Sequence, residues 1–163
     1  MKLYHGSTLR IPKPDIAHSR SSLDFGKGFY ATSYKDQAER WALRKAMLDD
    51  SQSIVNVYDL ADDLRGVKVL EFPENDEEWL EFVCSCRRGE EPRPDIDLVI
   101  GGVADDKVYE AINMYFRGLW DAQSTLKALR FYNRNDQYCF KTQRAINQLL
   151  VFVESYEVHR GSD

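Results

Sequence analysis

An α+β fold in one domain is the arrangement this sequence predicts, and three observations predict it. Strand-like runs crowd the beginning and the end of the chain, with amphipathic helical runs interspersed. Their alternation is too irregular for a doubly wound parallel sheet. The length of 163 residues makes residues 1–163 a single domain, long enough to bury a core without disulfides or metal.

Each element has its own signal. "MKLYHGS" is a short strand that ends at the turn-forming Gly6-Ser7. Residues 8–24, with Pro12, Pro14 and several serines, read as loop. Phe29–Ala31 is a short apolar strand. Ser33 with Asp36 resembles a capping box and opens a helix to about Met47, with Ala38, Trp41, Ala42 and Lys45 at helical spacing. "SIVNVYDL" (Ser53–Leu60) and "GVKVLEF" (Gly66–Phe72) are β-branched strands bounded by turn signals. Asn75 caps a helix with Trp79, Phe82, Val83 and Cys86 on one face, which "EEPRPD" breaks. "IDLVIGG" is a buried strand. Asp105 or Asp106 caps the helix that carries Val108, Ile112 and Tyr115, and a weaker helical piece covers roughly 119–130. "DQYCF" is a short strand, Thr142 starts a helix with Ile146, Leu149 and Leu150, and "VFVESYEVH" alternates as a last strand. No repeat or linker interrupts the chain.

Composition narrows the function. The net charge of −5 argues against nonspecific nucleic-acid binding. Residues 1–46 carry nine Lys/Arg against four Asp/Glu, whereas residues 49–110 carry six against eighteen. The basic first third would welcome an anionic ligand. No apolar run approaches a membrane span, and the N-terminus lacks an apolar signal-peptide region. Cys84, Cys86 and Cys139 match no disulfide or zinc spacing, so free thiols in a reducing, cytoplasmic compartment are expected. With three scattered histidines, they give no metal-ligand pattern, and no metal is expected. His18 and His159 read as ordinary surface or core residues. "GGVADDKVY" has the outline of a phosphate loop, but its two aspartates already satisfy the helix dipole where an anion would bind.

"DFGKGFYAT" (Asp24–Thr32) is the unusual stretch. Gly26 and Gly28 imply either close backbone approach or special φ/ψ angles, and Tyr30 follows at once. Together, "LYHGST" and "FGKGFYATSYKDQAERW" resemble the NAD-binding core of the ADP-ribosyltransferases of the poly(ADP-ribose) polymerase and diphtheria-toxin type, without a gap through Trp41. Two motifs in the family's order are more specific than either alone. The whole chain, including "DLVIGGVADDKVYEAI" and "NDQYCFKTQRAINQLLVF", also resembles the bacterial group called domain of unknown function 3990. That group is placed in the same superfamily and is often encoded beside a small partner in a toxin–antitoxin-like arrangement.

The resemblance implies two small, mainly antiparallel sheets packed with helices, and an NAD cleft between them. It assigns His5 to the adenosine-side ribose of NAD, and the backbone of Gly6 to the nicotinamide carboxamide. Tyr30 and Trp41 become the two walls of the nicotinamide pocket, Ser7 a ribose contact, and Gly28 part of the binding strand. Lys27 is either a solvated strand-edge residue, the favoured reading, or a contact to the diphosphate or target. The family's third position is a glutamate in an Asn-Glu-Tyr-like strand; Gln137 in "NDQY" stands there. Ala38 takes the slot of a carboxamide-binding serine. Glutamine can accept a ribose hydrogen bond but cannot neutralise an oxocarbenium or act as a base. By the resemblance, members lacking the glutamate transfer one ADP-ribose or have lost activity. Asp136, next to Gln137, should point away on a regular strand.

The implied activity is mono-ADP-ribosyl transfer from NAD to a macromolecular acceptor, a protein, with His5, Tyr30 and Gln137 as catalytic residues and a small antitoxin-like protein as a further partner. Its rival is a non-enzymatic descendant that binds NAD or a partner protein. A second rival, an RNA-directed phosphotransferase of the same fold, is opposed by the acidic middle of the chain.

Overall fold

A computed structural model describes residues 1–17, 23–104, 106–129 and 135–161. Seven strands and five helices are present among them. The first sheet joins β1 (Lys2–Ser7), β3 (Ile54–Leu60) and β7 (Leu150–Glu157) in the order β1-β3-β7, antiparallel throughout. The second joins β2 (Phe29–Ala31), β6 (Gln137–Phe140), β5 (Leu98–Gly101) and β4 (Val69–Glu71) in the order β2-β6-β5-β4, with only β4 and β5 parallel. The fold is therefore α+β, with two open, mainly antiparallel sheets. A single bridge, in which Tyr4 and Thr32 exchange backbone hydrogen bonds of 2.8 and 2.9 Å, ties β1 to the end of β2.

Strand alternation sorts side chains into distinct cores. From β5 and β6, Val99 and Cys139 face a cluster with Trp79, Val83, Ile112 and Leu129. These come from α2 (Glu77–Arg87), α3 (Asp106–Phe116) and α4 (Ala122–Leu129). Leu98 and Phe140 face the other way and meet Leu3, Tyr58, Ile146 and Leu149, so this second cluster joins both sheets to α5 (Gln143–Leu149). A third cluster seats α1 (Lys35–Asp49) on the first sheet through Ala38, Ala42, Val55 and Val57. The alanines let the helix lie close.

Several boundaries differ from the sequence expectation, each for a local reason. Ser33 does not cap α1: its N–H and hydroxyl both donate to the Asp136 carboxylate, leaving Tyr34 as N-cap without a side-chain bond. Asp76, not Asn75, caps α2, accepting from Trp79 N at 3.0 Å. β4 is shorter than Gly66–Phe72 because Gly66 sits in a turn at φ +80° and pairing with β5 covers only three residues. Thr142 caps α5 as expected, accepting from Ala145 N at 3.2 Å, but Leu150 already belongs to β7. Asp105 lies outside the described residues, as does His18.

Candidate functional site

The glycines of the unusual stretch have two separate structural reasons. Gly26 adopts φ +76°, the left-handed region where a side chain is strained. Gly28 lies so close to β6 that an added Cβ would come within 2.5 Å of Cys139 Sγ and 2.7 Å of Phe140 O. The close approach is to the protein's own strand, and its effect is to deliver Phe29 and Tyr30 into a fixed place. Lys27 between them is exposed.

A cavity of about 730 Å³ opens where β1, α1 and the first residues of β2 and β6 come together. That volume falls in the range of small-ligand and cofactor sites. Of the residues expected in a site, His5, Gly28, Tyr30, Trp41 and Gln137 all line it. Gly6 and Ser7 do not. Gly6 is buried under α1, where a Cβ would meet Ala38 O at 2.2 Å and Ala42 N at 2.7 Å, and the Ser7 hydroxyl accepts from Leu9 N at 3.2 Å. Tyr4 directs its backbone groups away from β3, so by alternation Gly6 does too. The Gly6 carbonyl there accepts a 2.6 Å hydrogen bond from Lys45 Nζ.

His5 has a defined tautomer. Its Nδ1 lies 2.5 Å from the Tyr30 carbonyl oxygen, which can only accept, so Nδ1 carries the proton and Nε2 remains an acceptor. The ring stacks on Phe29 at 4.4 Å between centroids. Burial, reinforced by the Lys45 charge and opposed by the Tyr30 carbonyl, pushes the imidazole pKa down to about 3. It is neutral at physiological pH. Tyr30 is pinned at its far end, donating to Gly26 O and accepting from Phe25 N. Burial raises its pKa well above the usual phenol range, so it remains a neutral wall. Trp41 is half-buried on α1, whereas Trp79 is buried in the core and Trp120 lies on the surface, neither of them lining the cavity.

The site also contains a residue that sequence reasoning missed. Asp24 lines the cavity beside Gln137. Its Oδ1 accepts from Arg87 Nε at 3.0 Å and from Arg87 Nη2, and its Oδ2 accepts from Ala104 N at 2.9 Å and Gln137 Nε2 at 3.1 Å. The only signal available was its place at the head of the glycine stretch. Asp136 is turned elsewhere, toward Thr32 and Ser33. Lys13, Arg44 and Lys45 supply cationic side chains to the same cavity. Burial raises the thiols of Cys84 and Cys86 to about 11 and that of Cys139 to about 12, so none is a nucleophile at neutral pH. Among the described residues, no group of three or more His, Cys, Asp or Glu is placed to hold a metal ion, and no helix is long and apolar enough to cross a membrane.

Fold and cavity define a small α+β protein with a cavity walled by a neutral histidine and two aromatics, with basic side chains alongside. Residues 1–152 match the family described as "Protein of unknown function (DUF3990)", and the chain belongs to that family. No curated protein matches it.

Proposed function

We propose that the cavity binds NAD and that the protein transfers a single ADP-ribose from it to a macromolecular acceptor, a protein, on an ADP-ribosyltransferase-like fold. The observation that carries this reading is the meeting of His5, Gly28, Tyr30, Trp41 and Gln137, drawn from four elements and the segment before β2, on one cavity. His5 Nε2, an acceptor of fixed orientation, suits a ribose hydroxyl. Tyr30 and Trp41 provide flat walls for nicotinamide. Lys13, Arg44 and Lys45 line the same cavity and suit the diphosphate.

The chemistry asks little covalent work of the protein. The bond between ribose C1′ and the nicotinamide nitrogen breaks with its electron pair leaving on nicotinamide, which departs neutral. The acceptor's nucleophile then bonds to C1′ and loses its proton. The protein holds the dinucleotide bent and steadies the oxocarbenium-like transition state. A protein acceptor fits the chain's acidic balance better than a nucleic acid does. The small partner protein implied by the resemblance would act as a regulator of this activity.

Titration with NAD, combined with an assay for released nicotinamide, tests the reading. Saturable binding with slow release supports it; absence of binding to folded protein overturns it. A second reading, a binding module without turnover, is favoured by one observation: the cavity's Asp24 carboxylate is already engaged by Arg87. Binding without any nicotinamide release, with or without candidate acceptor proteins, would select it.

A further inference from the structure

The amide of Gln137 is not at liberty to turn. Gln137 is buried at the first position of β6, and its Nε2 donates to Asp24 Oδ2 at 3.1 Å and to Gly102 O at 3.3 Å. Both hydrogens of the amide are thereby used, each on a group that can only accept. Flipping the amide would set Oε1 against a carboxylate and a carbonyl, two acceptors facing an acceptor. With Nε2 committed to the protein side, Oε1 is the end that the cavity meets.

Asp24 can enforce this because it is itself immobilised. Its side chain is 11% exposed and that of its partner Arg87 19%, and Ala104 N holds the same carboxylate oxygen that Gln137 uses. Arg87 ends α2, Ala104 follows β5 and Gln137 begins β6, so the carboxylate joins three separate parts of the domain. Charge-assisted hydrogen bonds of this kind are stronger and more directional than neutral ones.

We propose that Asp24, clamped by Arg87, is the positioning residue of the site: it orients Gln137 so that Oε1 stands in the cavity as a fixed acceptor for a ribose hydroxyl of the bound dinucleotide. This rests on the NAD reading above. A carboxylate one shell back thus gives a glutamine one of the two abilities of a glutamate, accepting a hydrogen bond, while withholding the negative charge. The arrangement also makes position 137 hostile to glutamate, whose oxygen would face Asp24 Oδ2 at the same spacing. Gln137→Glu alone is therefore a disruptive change and not a gain of catalytic charge.

The experiment uses four full-length proteins: wild type, Asp24→Asn, Gln137→Glu and the double variant. NAD itself is the probe, and unfolding midpoint, NAD affinity and nicotinamide release are measured on each. Asp24→Asn should lower the maximal release rate by ~10-fold or more with little change in KM, since the oriented acceptor matters most as charge develops. Gln137→Glu should lower the unfolding midpoint, and its deficit relative to wild type should close below the pH at which its carboxyl protonates. The double variant restores a donor at 24 opposite an acceptor at 137, so it should be more stable than the two single changes predict by addition, and its release should exceed that of either. Strict additivity in stability overturns the proposal, as does a folded Asp24→Asn with wild-type release at saturating NAD. Should wild type fail to bind NAD, the dinucleotide reading falls and the proposal falls with it; NAD binding with release indifferent to Asp24 sinks the positioning role alone.

Discussion

His5 shows how much one residue's chemistry depends on its surroundings. In sequence it was a histidine before a glycine; in the fold, the Tyr30 carbonyl fixes its tautomer and burial fixes its charge. Its folded pKa of about 3 lies below the ordinary 6.5. Between those values the unfolded chain binds a proton that the folded chain does not. Stability from this group is therefore complete above about pH 6.5 and is lost as pH falls, at up to about 1.4 kcal/mol per pH unit. Unfolding midpoints from pH 7 to 4 should fall in wild type more steeply than in His5→Gln. At neutral pH, His5→Ala should weaken NAD binding by about 1–3 kcal/mol, the loss of one hydrogen bond in a partly desolvated site, whereas His159→Ala should leave it unchanged in a calorimetric titration. NAD should also quench tryptophan emission, and Trp41→Phe should abolish that signal, because Trp79 and Trp120 stand elsewhere. His5, Tyr30 and Trp41 were legible because two local motifs carry them. Asp24 was not, since its partners Arg87, Ala104 and Gln137 are 63, 80 and 113 residues away.

Among elements, α1 and β1 are fitted to each other through Gly6. Gly6→Ala would drive a methyl group into helix backbone at Ala38 and Ala42, which cannot give way as a flexible side chain would. A loss of about 3 kcal/mol in denaturant unfolding is expected, the upper end of overpacking costs. The turn reading of Gly6 in the sequence noted the residue but not this contact, which needs a helix more than thirty residues on. The starts of α1, α2, α3 and α5 were legible to within a residue or two because turn and capping chemistry is local, whereas α4, expected from about 119, begins at Ala122. Where two cap-capable residues are adjacent, as at Asn75 and Asp76, sequence alone does not say which one bonds. Asp76→Ala should cost about 1 kcal/mol, and Asn75→Ala should lack that capping loss, as comparison of their unfolding midpoints would show.

For the whole molecule, strand positions were readable and strand order was not. Alternation and β-branching mark a strand, but nothing local reveals that β6 lies between β2 and β5 or that β7 pairs with β3. The cavity is a product of that order, because it opens where residues from both sheets meet α1. The basic first third of the chain does supply its cations, Lys13, Arg44 and Lys45. If these face a diphosphate, NAD affinity should fall as salt rises from 50 to 500 mM, since charges near a protein surface are screened over about 10 Å at 0.1 M. An affinity independent of salt would remove the diphosphate from that side of the cleft.

The central place of β3 in its sheet bears on how the protein comes into being during synthesis. Leu60 of β3 has Leu150 as its partner on one side and Ile54 has Glu157, so that edge stays open while roughly the next ninety to a hundred residues are made. At about 5–20 residues per second, a nascent chain spends several seconds or more with an unpaired, β-branched edge offered to any neighbour. Such edges are where chains pair wrongly. A growing chain can form the β1–β3 pair early, yet the cluster that binds both sheets also requires Phe140, Ile146 and Leu149. The cavity is consequently among the last features to be assembled, and a ribosome-bound chain will carry His5 and Tyr30 long before the walls around them are complete.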